Sequence, residues 1–158
     1  MPETLLLLGG NVGDPPALLG EAERMLGERI GVIQARSRDH WTRPWGFEDD
    51  RLFLNRALLV ATGSPLEGIL EQCLQIEREL GRSRQFSQGY EARTLDIDIL
   101  MQGNVIIGRP GLQVPHPRMH LRQFALAPAA DIVPEWVHPM LGQSILRLLT
   151  DLRRQGYT

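Results

Sequence analysis

The segment Arg93–Leu100, with the sequence RTLDIDIL, alternates apolar and acidic residues and decides the predicted fold. A period of two with β-branched isoleucines predicts a β-strand. Residues two apart on a strand project from the same face, so Asp96 and Asp98 point the same way. A strand at this place, after a helix, completes the second of two strand–helix–strand units.

The first strand–helix–strand unit lies near the N-terminus. Residues 3–9 are apolar and predict a strand, and residues 17–26 have the periodicity of an amphipathic helix. Asp14 is the expected N-cap, because it comes directly before two prolines that suit the first helical positions. Residues 31–42 predict the strand that completes this unit.

The second unit begins with a predicted strand over residues 53–62. A capping box predicts the start of the next helix, with Ser64 as the N-cap and Glu67 as the acidic partner. Apolar residues at helical spacing continue to Gly81, where the helix is expected to end. The strand that carries the two aspartates then follows.

Two such units in succession give the order β-α-β-β-α-β, which predicts an α+β, ferredoxin-like sheet with its helices on one face. A turn at residues 103–104 predicts an extra hairpin strand over 105–107, and C-terminal helices follow, the last over 143–153. No linker interrupts the 158 residues, so one domain over 1–158 is predicted.

The composition is that of a globular protein, and it has no excess of basic residues that would attract polyanions. Apolar residues make up 42%, charged residues 23%, and the net charge is −2, which gives no support to nucleic-acid or membrane binding. All 17 basic residues are arginine, which excludes lysine-dependent chemistry. The single cysteine, Cys73, lies in a helical pattern and is expected in the core. A cytoplasmic, soluble protein is expected, since no apolar run approaches a membrane span.

The aspartate pair is the first candidate site. Two ionised carboxylates side by side repel each other, whereas a Mg²⁺ ion takes oxygen ligands and commonly binds carboxylates together with substrate phosphates. Arg82, Arg84 and Arg93 lie just upstream and suit phosphate oxygens. The alternative is an edge strand whose acids prevent aggregation. The three arginines favour the metal and phosphate interpretation.

Two long loops, residues 43–51 and 82–92, interrupt this frame. Both carry aromatic residues among glycines and charges, which suits lids that close over a ligand. The alternative is two solvated connections, with Trp45 and Phe47 packed back onto the core. Composition does not distinguish these interpretations.

Several segments together resemble the 6-hydroxymethyl-7,8-dihydropterin pyrophosphokinase family. The resemblance covers residues 5–134 in one consistent order. It rests on Leu8–Asp14, Thr42–Gly46, Phe53–Asn55, Ile76–Arg84, Arg93–Leu100, Val114–Met119 and Arg122–Leu126. The RTLDID signature is the most specific of these motifs.

The resemblance implies transfer of the β,γ-diphosphate of ATP to the 6-hydroxymethyl group of the pterin, releasing AMP, in folate biosynthesis. It implies that Asp96 and Asp98 bind two Mg²⁺ ions that bridge the triphosphate, with ATP as the co-substrate. Arg82 and Arg93 would stabilise charge on the transferring group. The implied ATP-binding residues are Glu77, Arg84, Tyr90, His116 and Arg122.

The implied pterin pocket centres on Asn55, the polar side chain of an apolar strand, which can pair with the pterin amide edge. Phe53 lies two residues earlier and shares its face, and Phe53 and Phe124 would stack on either side of the ring. The pocket would be completed by Thr42, Pro44 and Trp45.

Some of these assignments have structural alternatives. His116 lies between two prolines and could be a turn histidine, and Phe124 could be a core residue. Tyr90 stands in a stretch where many relatives carry Trp and then Gly-Pro, and the loop is about one residue longer here. That difference affects lid closure and substrate affinity, not the metal site.

Two other functions are compatible with part of this sequence pattern. A palm-type nucleotidyl transferase also places two aspartates on a ferredoxin-like sheet, but it needs polynucleotide contacts. A regulatory domain that binds an effector needs no metal site. The expected partners are therefore ATP and the pterin, with no nucleic acid, no membrane and a monomeric chain.

Overall fold

The computed structural model describes residues 2–43, 52–81 and 95–156. Its strands are β1 (Glu3–Gly10), β2 (Val32–Arg36), β3 (His40–Thr42), β4 (Phe53–Ala61), β5 (Asp96–Gln102), β6 (Ile107–Arg109) and β7 (Leu112–Val114). Its helices are α1 (Pro15–Arg29), α2 (Leu66–Ile76), α3 (Gln123–Ile132) and α4 (Ile145–Arg154), with a π-helical turn at Glu77–Gly81 and a 3₁₀ turn at Met119–Leu121. None of the described helices is long and apolar enough to cross a membrane.

The main sheet is antiparallel, in the order β2-β4-β1-β5, and β3 also pairs with β4. Strand β1 therefore lies between β4 and β5, and each strand–helix–strand unit crosses over one intervening strand. This is the arrangement that two interleaved β-α-β units produce, so the α+β, ferredoxin-like prediction is confirmed.

The predicted strand over 31–42 is two strands, because Ser37 interrupts it. The Ser37 backbone N–H donates to Ala57 O at 2.9 Å, and its side-chain Oγ accepts from the Ala57 N–H at 2.9 Å. A side-chain oxygen thus replaces a backbone carbonyl in the ladder, and the chain bends before β3. Apolar periodicity does not reveal such a substitution.

The helix ends agree only in part with the predictions. Asp14 is the N-cap of α1, and its carboxylate accepts from the Ala17 N–H at 3.2 Å. The capping box at Ser64 is wrong: α2 begins at Leu66 without a side-chain cap, and the Ser64 N–H donates instead to Thr62 Oγ1 at 3.0 Å. The Thr62 hydroxyl thus takes the backbone N–H that the side chain of Glu67 would accept in a capping box.

The extra hairpin forms later in the chain than predicted. Residues 103–104 make a turn, but β6 pairs with β7 in a separate two-stranded sheet and not with β5. The predicted final helix is α4, capped by Ser144, whose Oγ accepts from the Arg147 N–H at 3.1 Å. Helix α3 precedes it and contains a buried proline, Pro128.

The sheet has a hydrophobic cluster on each face. The face under α1 and α2, here called the repeat face, buries Leu6, Leu8, Leu19, Leu26, Leu54, Leu58, Ile69 and Cys73. The face under α3 and α4, the C-terminal face, buries Leu5, Leu7, Ala57, Met101, Leu126 and Leu149. Cys73 is fully buried, which confirms its predicted place in the core. Strand alternation divides β1, β4 and β5 between the two clusters.

Candidate active site

A cleft of about 230 Å³ lies on the C-terminal face, where α3 begins and leaves the ends of the strands uncovered. It is lined by Leu7, Gly9, Thr42, Arg43, Phe53, Asn55, Asp96, Asp98, Arg122 and Phe124. Glu77 and His116 are the predicted site residues, within the described ranges, that do not line it. A larger depression of about 590 Å³, near Gln34 and Trp136, contains none of the predicted residues. The cleft is therefore the candidate active site.

The aspartate pair projects into this cleft as predicted. Asp96 pairs with Gly9 and Asp98 with Leu7, and both carboxylates are partly buried on the same face. Within the described ranges no group of three His, Cys, Asp or Glu side chains could hold a metal by itself. Two carboxylates leave coordination positions for water and phosphate oxygens, which is how Mg²⁺ commonly binds. The residues present therefore fit a magnesium–phosphate site.

Strand β5 is also the edge strand of the main sheet among the described strands, as the aggregation alternative required. Its outer edge already carries hydrogen bonds, because the Ile97 N–H donates to Glu77 Oε2 at 2.7 Å and Leu100 O accepts from the His116 N–H at 2.8 Å. Both aspartates line the cleft on the C-terminal face. Edge protection alone does not account for their position.

Asn55 is the polar centre of the cleft wall. Its side chain is 4% exposed, and its Nδ2 donates to Thr42 Oγ1 on the neighbouring strand at 3.2 Å. Gly9 lies beside it: a Cβ at that position would stand 3.2 Å from Asn55 Oδ1, tighter than most side-chain contacts. Glycine at this position keeps the amide and the cleft floor in place.

Strand β3, which supplies Thr42, is tied to α3 through Asp131. The Asp131 carboxylate lies 2.7 Å from His40 Nε2 and accepts from Arg38 Nη2 at 3.0 Å. Burial raises the pKa of Asp131, but the hydrogen bonds from Arg38 and His40 outweigh it, and the pKa is lowered overall. The ionised carboxylate thus fixes one wall of the cleft to the helix that closes it.

Phe124 lies between the cleft and the hydrophobic core. It lines the cleft from the first turn of α3, and it packs against the buried cluster of the C-terminal face. The Arg122 guanidinium carbon lies 5.4 Å from the centroid of the Phe124 ring, in cation–π range. The aromatic ring therefore also orients a cationic side chain of the same cleft.

His116 lies in a second cavity on the outer side of β5. This edge groove, about 290 Å³, shares Asp98 with the cleft and is lined by Leu70, Ile97, Asp98, Ile99, Gly111, Leu112, Gln113, His116 and Pro117. The sequence does not predict the apolar lining of this groove, because Leu70 has the helical spacing of a residue that packs in the hydrophobic core. Asp98 is the residue at which the two cavities meet.

The His116 ring is held neutral. Its Nδ1 accepts from the Arg118 N–H at 3.1 Å, as a turn histidine would. Burial, followed by the charges of Arg122 and Arg118, lowers its pKa to about 4. The ring therefore has a neutral tautomer with Nε2–H as a donor, which suits a phosphate or carbonyl oxygen.

The family model for 7,8-dihydro-6-hydroxymethylpterin-pyrophosphokinase matches residues 5–134. The chain belongs to this family. It is 40% identical over 136 residues to the 2-amino-4-hydroxy-6-hydroxymethyldihydropteridine pyrophosphokinase of Porphyromonas gingivalis, covering 85% of this chain and 92% of that protein. The Methylorubrum extorquens enzyme is 37% identical over 157 residues, covering 99% of this chain and 97% of that protein.

Solved structures agree on the fold of this pyrophosphokinase. A crystal structure of an HPPK–DHPS protein in complex with substrates superimposes with a TM-score of 0.76 at 14% identity. It covers 98% of this chain, which spans 44% of that longer chain. At that identity the likeness shows the fold alone, whereas the family match shows the activity. The protein is an ATP-dependent diphosphotransferase of folate biosynthesis, and it transfers the diphosphate to hydroxymethyldihydropterin.

Part of the predicted pyrophosphokinase site cannot be compared with the structure. Pro44, Trp45, Arg82, Arg84, Tyr90 and Arg93 lie outside the described residues, as does most of both long loops. Among the described residues, Gly9, Leu70 and Gln113 line the two cavities without having been predicted. The sequence predicts Gly9 as the last residue of a strand, and its proximity to Asn55 is decided by pairing between strands distant in sequence.

Proposed function

We propose that the cleft binds the pterin and that the edge groove binds ATP, with the reacting groups meeting at Asp98. The observation that carries this assignment is that Asp98 lines both cavities. Placing both substrates against one residue converts a bimolecular reaction into an oriented one, which is a large part of the rate enhancement in transfers between two substrates.

The cleft offers the complementary surface for a flat, polar ring. Phe53 and Phe124 supply aromatic faces for stacking, while Asn55 and Thr42 supply amide and hydroxyl groups for the ring edge. These four residues, with Pro44 and Trp45, are our proposed pterin pocket. The hydroxymethyl group would then extend toward the aspartates at the open end.

Asp96 and Asp98 would hold two Mg²⁺ ions together with the triphosphate, and the ions would supply charge neutralisation of the phosphate oxygens. His116 would donate from Nε2–H, and Arg84, Tyr90 and Arg122 would complete the nucleotide site. The pterin hydroxyl oxygen would form a bond to the β-phosphorus and release its proton to solvent, while the bond from that phosphorus to the bridging oxygen of AMP breaks and AMP leaves. Arg82 and Arg93 would stabilise the charge that develops.

Filling one cavity tests the assignment of the two substrates. Gln113 is exposed and lines the edge groove, so Gln113→Trp is expected to weaken binding of α,β-methylene-ATP by at least about tenfold while pterin binding stays unchanged. Gln34→Trp, at an exposed strand position far from both cavities, is the matched control. Calorimetry measures both ligands. Unchanged nucleotide binding in Gln113→Trp would place ATP elsewhere.

The product distinguishes this reaction from the other functions considered. Incubation with ATP, Mg²⁺ and hydroxymethyldihydropterin should yield AMP in equal amount to the diphosphorylated pterin. ADP as the product would indicate single phosphoryl transfer, and no consumption of ATP would indicate effector binding only. We also propose a monomeric, cytoplasmic enzyme, which sedimentation and cell fractionation test.

A further inference from the structure

Strand β5, which carries the aspartate pair, contacts the rest of the protein along both of its edges. Its inner edge pairs with β1, and in the described part of the chain no strand pairs with the outer edge. The peptide between the two aspartates, that of Ile97, donates its N–H outward to Glu77 Oε2 at 2.7 Å. A side chain from α2's end thus takes the place of a neighbouring strand.

Glu77 lies directly after α2, where its backbone is still α-helical, and its side chain reaches this peptide. Helix α2 ends at Ile76, and the wider turn Glu77–Gly81 follows, which redirects the side chains relative to a continued α-helix. Arg29 pairs with Glu79 through both oxygens, Nη1 to Oε2 at 2.9 Å and Nη2 to Oε1 at 2.9 Å, so the turn is held against the end of α1. The location of the Glu77 carboxylate is therefore set by two helices.

Glu77 is 7% exposed, and burying a carboxylate costs free energy unless hydrogen bonds compensate. The Ile97 N–H is one of its partners, and the bond is short and charge-assisted. Glu77 does not line the cleft or the edge groove. The bond from the Ile97 N–H joins Glu77 to the backbone that carries the aspartates.

Cys73 is a buried residue of α2 near both Glu77 and Asp98. Burial, followed by the charges of Glu77 and Asp98, raises the pKa of its thiol to about 12. Both carboxylates thus lie near one buried sulfur, Glu77 from the helix side and Asp98 from the strand. The thiol itself stays protonated and takes no part in chemistry.

We propose that Glu77 is a positioning residue that holds the Ile97 peptide and thereby the direction and spacing of Asp96 and Asp98. This inference rests on the proposed metal-binding role of the two aspartates. It differs from the direct ATP contact that family resemblance implies for Glu77. Groups that orient metal ligands from behind typically change metal affinity or activity by roughly 10–100-fold when removed.

The test compares Glu77→Ala with Glu77→Gln, because a glutamine Oε1 still accepts from the Ile97 N–H without carrying charge. Glu71→Ala, which removes an exposed carboxylate from the same helix, is the matched control. Amide hydrogen exchange at Ile97, followed by NMR, reports the hydrogen bond itself. Calorimetric titration of Mg²⁺ in the presence of α,β-methylene-ATP reports the metal site without turnover, and pterin titration reports the rest of the cleft.

In Glu77→Ala we expect Ile97 exchange to accelerate and Mg²⁺ affinity to fall by at least about tenfold, with pterin affinity changed by less than about twofold. Glu77→Gln should restore both quantities to near wild-type values, and Glu71→Ala should leave them unchanged.

Three results would overturn the proposal. Retained Ile97 protection and metal affinity in Glu77→Ala would show that the contact is dispensable. Lost metal affinity in Glu77→Gln with Ile97 still protected would show that charge and direct ligand contact matter instead. An equal loss for Mg²⁺ and pterin, with a lower Tm, would show a general stability effect. Failure of the wild-type protein to produce AMP would instead reject the proposed reaction and leave the Glu77 measurements interpretable.

Discussion

The two faces of the sheet are formed by the same strands but differ in structure and role. On the repeat face, α1 and α2 cover a closed apolar cluster, whereas on the C-terminal face α3 leaves a cleft at the strand ends. Adjacent residues divide between them: Leu8 and Gly9, Leu54 and Asn55, Ile97 and Asp98. Because successive side chains of a strand point to opposite faces, core residues lie on one face of the sheet and residues of the cleft lie on the other.

The largest expected effect is loss of activity from the C-terminal face without loss of the fold. Asp96→Ala or Asp98→Ala should lower turnover by roughly 10³-fold or more, because the triphosphate charge is left uncompensated. Steady-state AMP production at saturating Mg²⁺ measures it, with thermal unfolding to check the fold. Asp151→Ala, on the distant α4, is the control. Near-normal turnover in either cleft variant would reject the metal assignment.

The next largest effects are expected from substitutions of Leu54 and Phe53, two neighbouring residues on opposite faces of the sheet. Leu54 is fully buried in the repeat-face cluster, so Leu54→Ala should cost about 2–5 kcal/mol of unfolding free energy. Phe53→Ala should cost less stability and weaken pterin binding by about 1 kcal/mol, since its ring lines the cleft. Denaturant unfolding and pterin calorimetry measure both. If the two variants had the same profile, the division between faces would fail.

A smaller effect is expected within the cleft itself. Asn55→Ala should weaken pterin binding by about 1–3 kcal/mol while ATP binding is retained, because a buried polar edge of the ligand loses its partner. Calorimetric titration with each ligand separates the two. Equal weakening of both ligands, with the fold intact, would mean that Asn55 lies outside the pterin pocket.

The smallest expected effect is a pH dependence from His116. Its pKa in the folded protein is about 4, below the unfolded value of 6.5, so protonation favours the unfolded chain. The contribution of the neutral His116 ring to the free energy of unfolding is complete above the unfolded-state pKa and is lost as the pH falls toward 4. Wild type should therefore lose about 1 kcal/mol near pH 5.5 relative to His116→Gln. Unfolding curves across this range measure it, and parallel profiles would contradict the buried, neutral ring.

The predictions that succeeded depend on short-range physics. Alternation placed Asp96 and Asp98 on one face, and Asp14 caps α1 through a bond three residues away. The failures depend on which partner a hydroxyl finds. Ser37 bends the strand because Ala57, distant in sequence, lies opposite, whereas Thr62 takes the amide of Ser64 within the same turn. A sequence pattern does not show which backbone group a hydroxyl will reach.

By itself, the sequence determined the α+β class, the β-α-β-β-α-β order of the main sheet and its two helices, the face of the aspartate pair and, through its motifs, the family. These follow from periodicity and from residue types at fixed spacing. Tertiary structure alone decided that Asp98 joins two cavities, that Gly9 supports Asn55, and that Glu77 holds the Ile97 peptide. Such contacts join residues far apart in the chain, and only the packing of strands and helices brings their atoms within bonding distance.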